Sequence, residues 1–242
     1  MNLSSTISMA LNQSAIFAGT YSMKRAKLMW NNVAFNDCRT YAFLDVTQKW
    51  HHPTLYFENF EKFYNYLRQH RISDVHVKPL PDNGGREWVV DVDIEATDCE
   101  LMLKTKISVA KVAFVKFFGT NVTRIMYSGN RGIHVWLRID KFRMNADKSV
   151  RQRYFDVFVM PKKIVLNEIL PNSFVWCVQS AFEEDEIRLM LKQLYKGQVV
   201  DASTLIKDFW PAVDKHIFCN LNQIRAPFSY NSKGKKFSLK LH

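Results

Sequence analysis

Two aspartates stand two residues apart in Trp88-Val89-Val90-Asp91-Val92-Asp93-Ile94. The alternation of apolar and acidic side chains predicts a strand that buries Val90, Val92 and Ile94 and turns Asp91 and Asp93 to the other face. Carboxylates at this spacing lie about 7 Å apart along a strand and aim into one small volume. Like charges so placed repel unless a cation lies between them, and their hard oxygens suit Mg²⁺ or Mn²⁺. A metal pair held this way activates a hydroxyl and clamps a triphosphate in phosphoryl transfer. Glu95 shares the face as an auxiliary group. The plain alternative is an exposed polar strand face, and the D-x-D pattern alone does not decide between them.

A second constellation follows at Ser128-Gly129-Asn130-Arg131-Gly132-Ile133-His134-Val135-Trp136. The glycines allow backbone N–H groups to approach an anion closely. The Ser128 hydroxyl and the Arg131 guanidinium offer donors to phosphate oxygens. In the strand beyond, Ile133, Val135, Leu137 and Ile139 are expected in the core, with His134, Trp136 and Arg138 on the opposite face. If the two strands are neighbours, His134 joins Asp91 and Asp93, and phosphate donors converge with metal carboxylates. Two plain readings compete: His134 as a structural histidine, and Arg131–Trp136 as an RNA-recognition strand. The second requires an aromatic after the glycine, where Ile133 stands.

These residues need elements to position them. Phe60, Phe63, Tyr64 and Leu67 lie at helical spacing over 57–68, and Pro79–Gly85 break the chain. Leu101–Phe118, punctuated by Lys104, Lys106, Lys111 and Lys116, predicts an amphipathic helix between the two strands. Strand, helix and strand point to a mixed α/β fold, a sheet flanked by helices, with both strands in it. Helices are expected at Ser149–Val159 and Phe182–Lys196, and a short strand pattern in the lysine-rich tail from Asn231. Residues 1–20 carry no charged side chain and read as a weakly ordered extension. Residues 21–242 read as one catalytic domain with a helical insertion around 145–210.

The chain has 242 residues, 47% hydrophobic, with 34 Lys+Arg against 23 Asp+Glu. That composition excludes a disordered or low-complexity chain, and a net charge of +11 calls for a polyanionic partner. The charge is divided: residues 1–120 hold 14 basic and 12 acidic side chains, and residues 121–242 hold 20 and 11. No apolar run is long enough for a transmembrane helix, and no amphipathic anchor accompanies the charge. Cys38, Cys99, Cys177 and Cys219 form no C-x-x-C pair and read as reduced, mostly buried thiols.

Asp91-Val92-Asp93-Ile94, then S-G-N-R-G-I-H-V-W, then Ala212-Val213-Asp214 and Arg225-Ala226-Pro227-Phe228-Ser229 resemble the three motifs of the archaeo-eukaryotic primase catalytic subunits. The compact size and Lys24-Arg25-Ala26-Lys27-Leu28-Met29-Trp30 are most similar to the baculovirus branch of that family. The resemblance implies a primase-type core and synthesis of short RNA primers on single-stranded DNA during viral DNA replication. It implies that Asp91, Asp93 and Asp214 hold two Mg²⁺ or Mn²⁺ ions. Ser128, Arg131, His134 and Arg225 would hold the nucleoside triphosphate. Arg39, in an R-x-x-x-F segment, and Asp74, near the ribose, would join them. Asp201 and Asp208 compete for the place of Asp214. Asn222 and Asn231 stand near family histidines. No cysteine-rich zinc knob follows the first motif, so no structural zinc is expected. The resemblance also implies an accessory primase subunit, late expression factor 2 in the baculovirus branch, and action inside the host cell nucleus.

Two other functions remain open on sequence: a primer-extending polymerase of the same fold, and a nucleic-acid-binding protein without catalysis. Paired aspartates facing a polyanion argue against a pure binder, because without metal they repel phosphate.

Overall fold

The computed structural model describes residues 3–11 and 19–242. Its first half runs α1 (Leu3–Leu11), α2 (Met23–Asn31), β1 (Tyr41–Asp45), β2 (Trp50–His51), α3 (Phe60–Gln69), β3 (Ile72–Val77), β4 (Val89–Asp93) and α4 (Glu100–Phe118). The second half runs β5 (Val122–Tyr127), β6 (Gly132–Leu137), α5 (Lys148–Asp156), α6 (Phe174–Ala181), α7 (Asp185–Leu194), α8 (Ala202–Asp208), α9 (Lys215–Cys219), β7 (Ile224–Arg225), β8 (Tyr230–Asn231), β9 (Lys236–Phe237) and β10 (Leu239–Lys240).

The fold is mixed α/β, built on two antiparallel sheets of order β10-β5-β6-β4 and β2-β1-β3-β7, with β8 and β9 as a separate hairpin. The two strands expected in one sheet are direct neighbours there: Asp91 pairs with His134 and Val89 with Trp136. Helix α4 returns the chain from β4 to β5, which lies beyond β6 in the same direction as β4.

The first sheet is buried on both faces. Val90, Val92, Ile94, Ile133, Val135 and Leu137 pack with Ile107, Ala110 and Phe114 of α4 and Cys177 and Val178 of α6. On the other face Val89, Met126 and Trp136 join a second cluster with Tyr41, Phe43, Val75 and Val77 of the second sheet and Trp30 and Phe63 of α2 and α3. Trp136 shares a face with His134 as the alternation predicts, but the second sheet roofs that face. Ile139, expected in the core, is 42% exposed because β6 ends at Leu137.

Within the stretch read as a weakly ordered extension, Leu3–Leu11 form α1. Ile7, Ala10 and Leu11, at helical spacing, are buried in the cluster around α4. The stretch read as a helical insertion carries α5 to α8. The thiols divide evenly: Cys177 and Cys219 are buried, whereas Cys38 and Cys99 are exposed. Cys99 caps α4, its Sγ accepting from the Met102 N–H. No described helix is long and apolar enough to cross a membrane.

Candidate active site

Between the two sheets lies a cleft of about 700 Å³. One wall carries Asp91, Asp93 and His134 of the first sheet, and the other carries Asp74, His76 and Arg225 of the second. Ser128, Asn130 and Arg131 close one end together with Asn231, Ser232 and Lys233 of the tail.

Asp91 sits mid-strand and is 9% exposed, while Asp93, at the strand end, is exposed. Asp214 arrives from a distant segment. Val213 forms a bridge with Val92, and the Asp214 N–H donates to the Asp91 carbonyl at 2.8 Å. The Asp214 carboxylate also caps α9, accepting from the Ile217 N–H at 2.9 Å. Its competitors lie elsewhere: Asp201 caps α8, and Asp208 accepts from the Tyr195 hydroxyl. Burial, then the charges of Asp93 and Asp214, push the Asp91 carboxyl up to about 7. Three hard carboxylates whose repulsion disfavours ionisation are a donor set suited to Mg²⁺ or Mn²⁺. Among the described residues, however, no three His, Cys, Asp or Glu side chains already stand close enough to hold an ion.

His134 is buried with Nε2 3.4 Å from Asp91 Oδ1. Burial, then the cations Arg225 and Arg86, hold its pKa down to about 3. The ring is therefore neutral near pH 7, and its approach to Asp91 is a polar contact rather than an ion pair. Arg86 is buried behind this wall, donating to the Ile217 carbonyl of α9 at 2.7 Å. Arg151 donates to the Arg86 and Met144 carbonyls at 2.9 and 2.8 Å. These two buried cations tie α9, and with it Asp214, to the base of β4. Nothing local in the sequence distinguishes such buried arginines from surface ones.

On the facing sheet, Asp74 is buried and its Oδ1 accepts from Arg225 Nη1 at 2.5 Å and from the Ser232 N–H at 3.1 Å. Arg225 Nη1 also donates to the Tyr230 carbonyl. In the Pro227-Phe228-Ser229 segment, the Ser229 hydroxyl accepts from the Val75 N–H at 2.8 Å, which locks the segment to β3.

The glycines of the Ser128–Gly132 turn answer to packing as well as to anion approach. A Cβ on Gly132 would lie 2.0 Å from the Val92 carbonyl oxygen. Gly129 has φ +83°, and a Cβ there would lie 2.8 Å from both Asn231 Cβ and the Lys236 carbonyl oxygen. The turn is thus pressed between β4 and the β8–β9 hairpin. Asn231 fastens it, donating to the Ser128 carbonyl at 3.0 Å and accepting from the Lys233 and Gly234 N–H groups. Arg131 remains exposed at the mouth, its Nε donating to the Ile94 carbonyl at 3.2 Å.

Arg39 is the one expected site residue that the fold takes away. It is fully buried, off the cleft wall, and donates to Glu87 Oε1 and Oε2 at 2.9 and 3.1 Å. A charge removed from water requires such a partner. Asn222 is also off the wall and exposed, whereas Asn231 is on it. Lys233, Trp50 and His76 line the cleft without having been expected. Only the lysine-rich tail hinted at the first of them.

The chain resembles two curated proteins over most of its length. It is 45% identical over 221 residues to a protein named DNA primase from Autographa californica nuclear polyhedrosis virus, which covers 90% of this chain and 80% of that protein. It is 43% identical over 225 residues to late expression factor 1 of Orgyia pseudotsugata multicapsid polyhedrosis virus, covering 90% and 86%. No family model matches the chain.

Proposed function

Because the chain belongs to the baculovirus DNA primase family, we propose that the cleft between its sheets joins nucleoside triphosphates into primers on single-stranded DNA by nucleotidyl transfer. The observation that carries this reading is convergence. Asp91 and Asp93 come from β4, Ser128, Arg131 and His134 from the following turn and strand, and Asp214 and Arg225 from the last third of the chain; all line one cleft.

Asp91, Asp93 and Asp214 would hold Mg²⁺ or Mn²⁺. When bound, such ions lower the pKa of an attacking 3′-hydroxyl and neutralise a departing pyrophosphate. The chain's own groups do the positioning. Ser128, Arg131 and Lys233 offer donors and charge to the triphosphate at the closed end of the cleft. Neutral His134 contributes an N–H donor without adding a positive charge that would compete with a metal ion for Asp91 or retain pyrophosphate. Arg225, fixed by Asp74, sets a cation between the carboxylates and the facing sheet. The +9 surplus of residues 121–242 suits the template backbone. We extend the reading to late expression factor 2 as accessory subunit and to action in the host nucleus, on the resemblance to the family.

The test is synthesis on unprimed single-stranded DNA with labelled ribonucleotides and Mg²⁺ or Mn²⁺, with and without the accessory subunit. Product is expected from the unaltered chain and none from Asp91→Ala or Asp93→Ala. Undiminished product from either variant overturns the site assignment. Product only on pre-primed template favours a primer-extending polymerase instead.

A further inference from the structure

On the cleft wall that faces Asp91 and Asp93, Trp50 and His76 have no role in the mechanism above. In the second sheet Trp50 pairs with Leu44, and Leu44 with Asp74, across β2, β1 and β3. His76 pairs with Arg225 across β3 and β7. Cross-strand partners share a face, and Trp50, Leu44, Asp74, His76 and Arg225 all line the cleft. Arg225 and Asp74 therefore stand at its middle and Trp50 at its outer end, two strand spacings, or about 10 Å, beyond Asp74.

Trp50 is 40% exposed although it lines a cleft. The His76 ring meets it at 4.9 Å and 70°, and His52 stacks along it at 19°. Both ring nitrogens of His76 are buried without a hydrogen-bond partner. Such a ring is costly to leave unmet. Burial, with Arg225, His134 and His52 nearby, holds His76 neutral. One donor and one acceptor then remain, a pair suited to the edge of a base or a sugar rather than to a phosphate. The hairpin carrying Trp50 is already braced. Asp45 Oδ1 accepts from the Thr47 and Lys49 N–H groups at 2.8 and 3.1 Å, and Asp45 Oδ2 meets His51 Nε2 at 2.7 Å.

We infer that Trp50 and His76 form the nucleobase platform of this cleft: the base of the bound nucleotide stacks on the Trp50 indole while His76 hydrogen-bonds the edge of its base or ribose. The inference rests on the reading of the cleft as a nucleotide site and adds the residues that grip the half of the ligand bearing no phosphate. Stacking tolerates any base, which leaves the choice of base to the template.

The test compares equilibrium binding of ATP and of inorganic triphosphate to the full chain in Mg²⁺. Trp50→Ala is expected to weaken ATP about 5- to 150-fold, the range that loss of one base–aromatic stack produces, with triphosphate affinity unchanged. Trp50→Phe should restore most of the loss. His76→Phe, which keeps a ring but no nitrogen, should weaken ATP and spare triphosphate. Unchanged ATP affinity in Trp50→Ala, or equal weakening of both ligands, overturns the inference. Failure of the primase reading looks different: primer synthesis by Asp91→Ala would remove it, while the ATP-against-triphosphate contrast at Trp50 would still be measurable.

Discussion

Replacing Asp91 by Asn should make the metal-free protein more stable at pH 8 while abolishing synthesis. Burial and the charges of Asp93 and Asp214 move this carboxyl from 3.8 to about 7. At 1.36 kcal/mol per pH unit, ionising it in place costs up to about 4 kcal/mol more than ionising it in water. The folded, metal-free chain keeps a proton on Asp91 up to about pH 7, and the unfolded chain only up to about pH 3.9. Between those values the folded state binds the additional proton, so raising the pH removes stability. Asn carries no charge and escapes that loss. For a chain of this size each kcal/mol moves Tm by about 2–4 °C. The expected gain is therefore about 8–16 °C at pH 8 in chelator, falling to near zero at pH 4. Thermal unfolding of both proteins across pH 4–8 measures it, and their difference cancels the titration of other groups. Added Mg²⁺ should raise the Tm of the unaltered chain and leave the Asn variant nearly unmoved. A gain that does not vary with pH, or a loss at pH 8, refutes the account of Asp91 as strained by its neighbours.

Gly132→Ala should impair both folding and synthesis, because its Cβ would strike the Val92 carbonyl and part β6 from β4; reduced Tm together with lost primer product checks this. Arg225→Ala should cost about 3–5 kcal/mol in denaturant unfolding, since it leaves buried Asp74 without its cation, and Arg225→Lys should cost less. Glu87→Gln should destabilise by a similar amount by stranding Arg39, which is 0% exposed, yet a chain that remains folded should bind ATP with unaltered affinity, because Arg39 is off the cleft wall. Affinity for single-stranded DNA should fall with salt on a log–log slope of about −0.7 per phosphate contacted.

The parts legible in sequence were those written in short windows. The alternation through Trp88–Ile94 placed β4 and sorted Asp91 and Asp93 from Val90 and Val92, and helical spacing placed α3 and α4. Motif order brought Asp214 into view but could not separate it from Asp201 and Asp208. That choice depends on the Val92–Val213 bridge, which joins segments about 120 residues apart. The second sheet went unread because β1 is nearly uniformly buried and β2 and β7 are two residues each, too short for a period. Without that sheet, Trp50 and His76 had no site to belong to. Arg39 was misplaced for the same reason: a short motif does not tell which side of a sheet a side chain occupies.

Residues 231–242 are woven into the cleft and the sheet behind it. Asn231 holds the Ser128 turn, β10 closes the edge of the first sheet by pairing with β5, and the Leu241 N–H donates to the Ile125 carbonyl at 2.7 Å. A chain lacking residues 231–242 keeps Asp91, Asp93 and Asp214 but not the fastened turn, and its β5 edge is open to other strands. Fragments ending before residue 238 should therefore aggregate rather than compete for template.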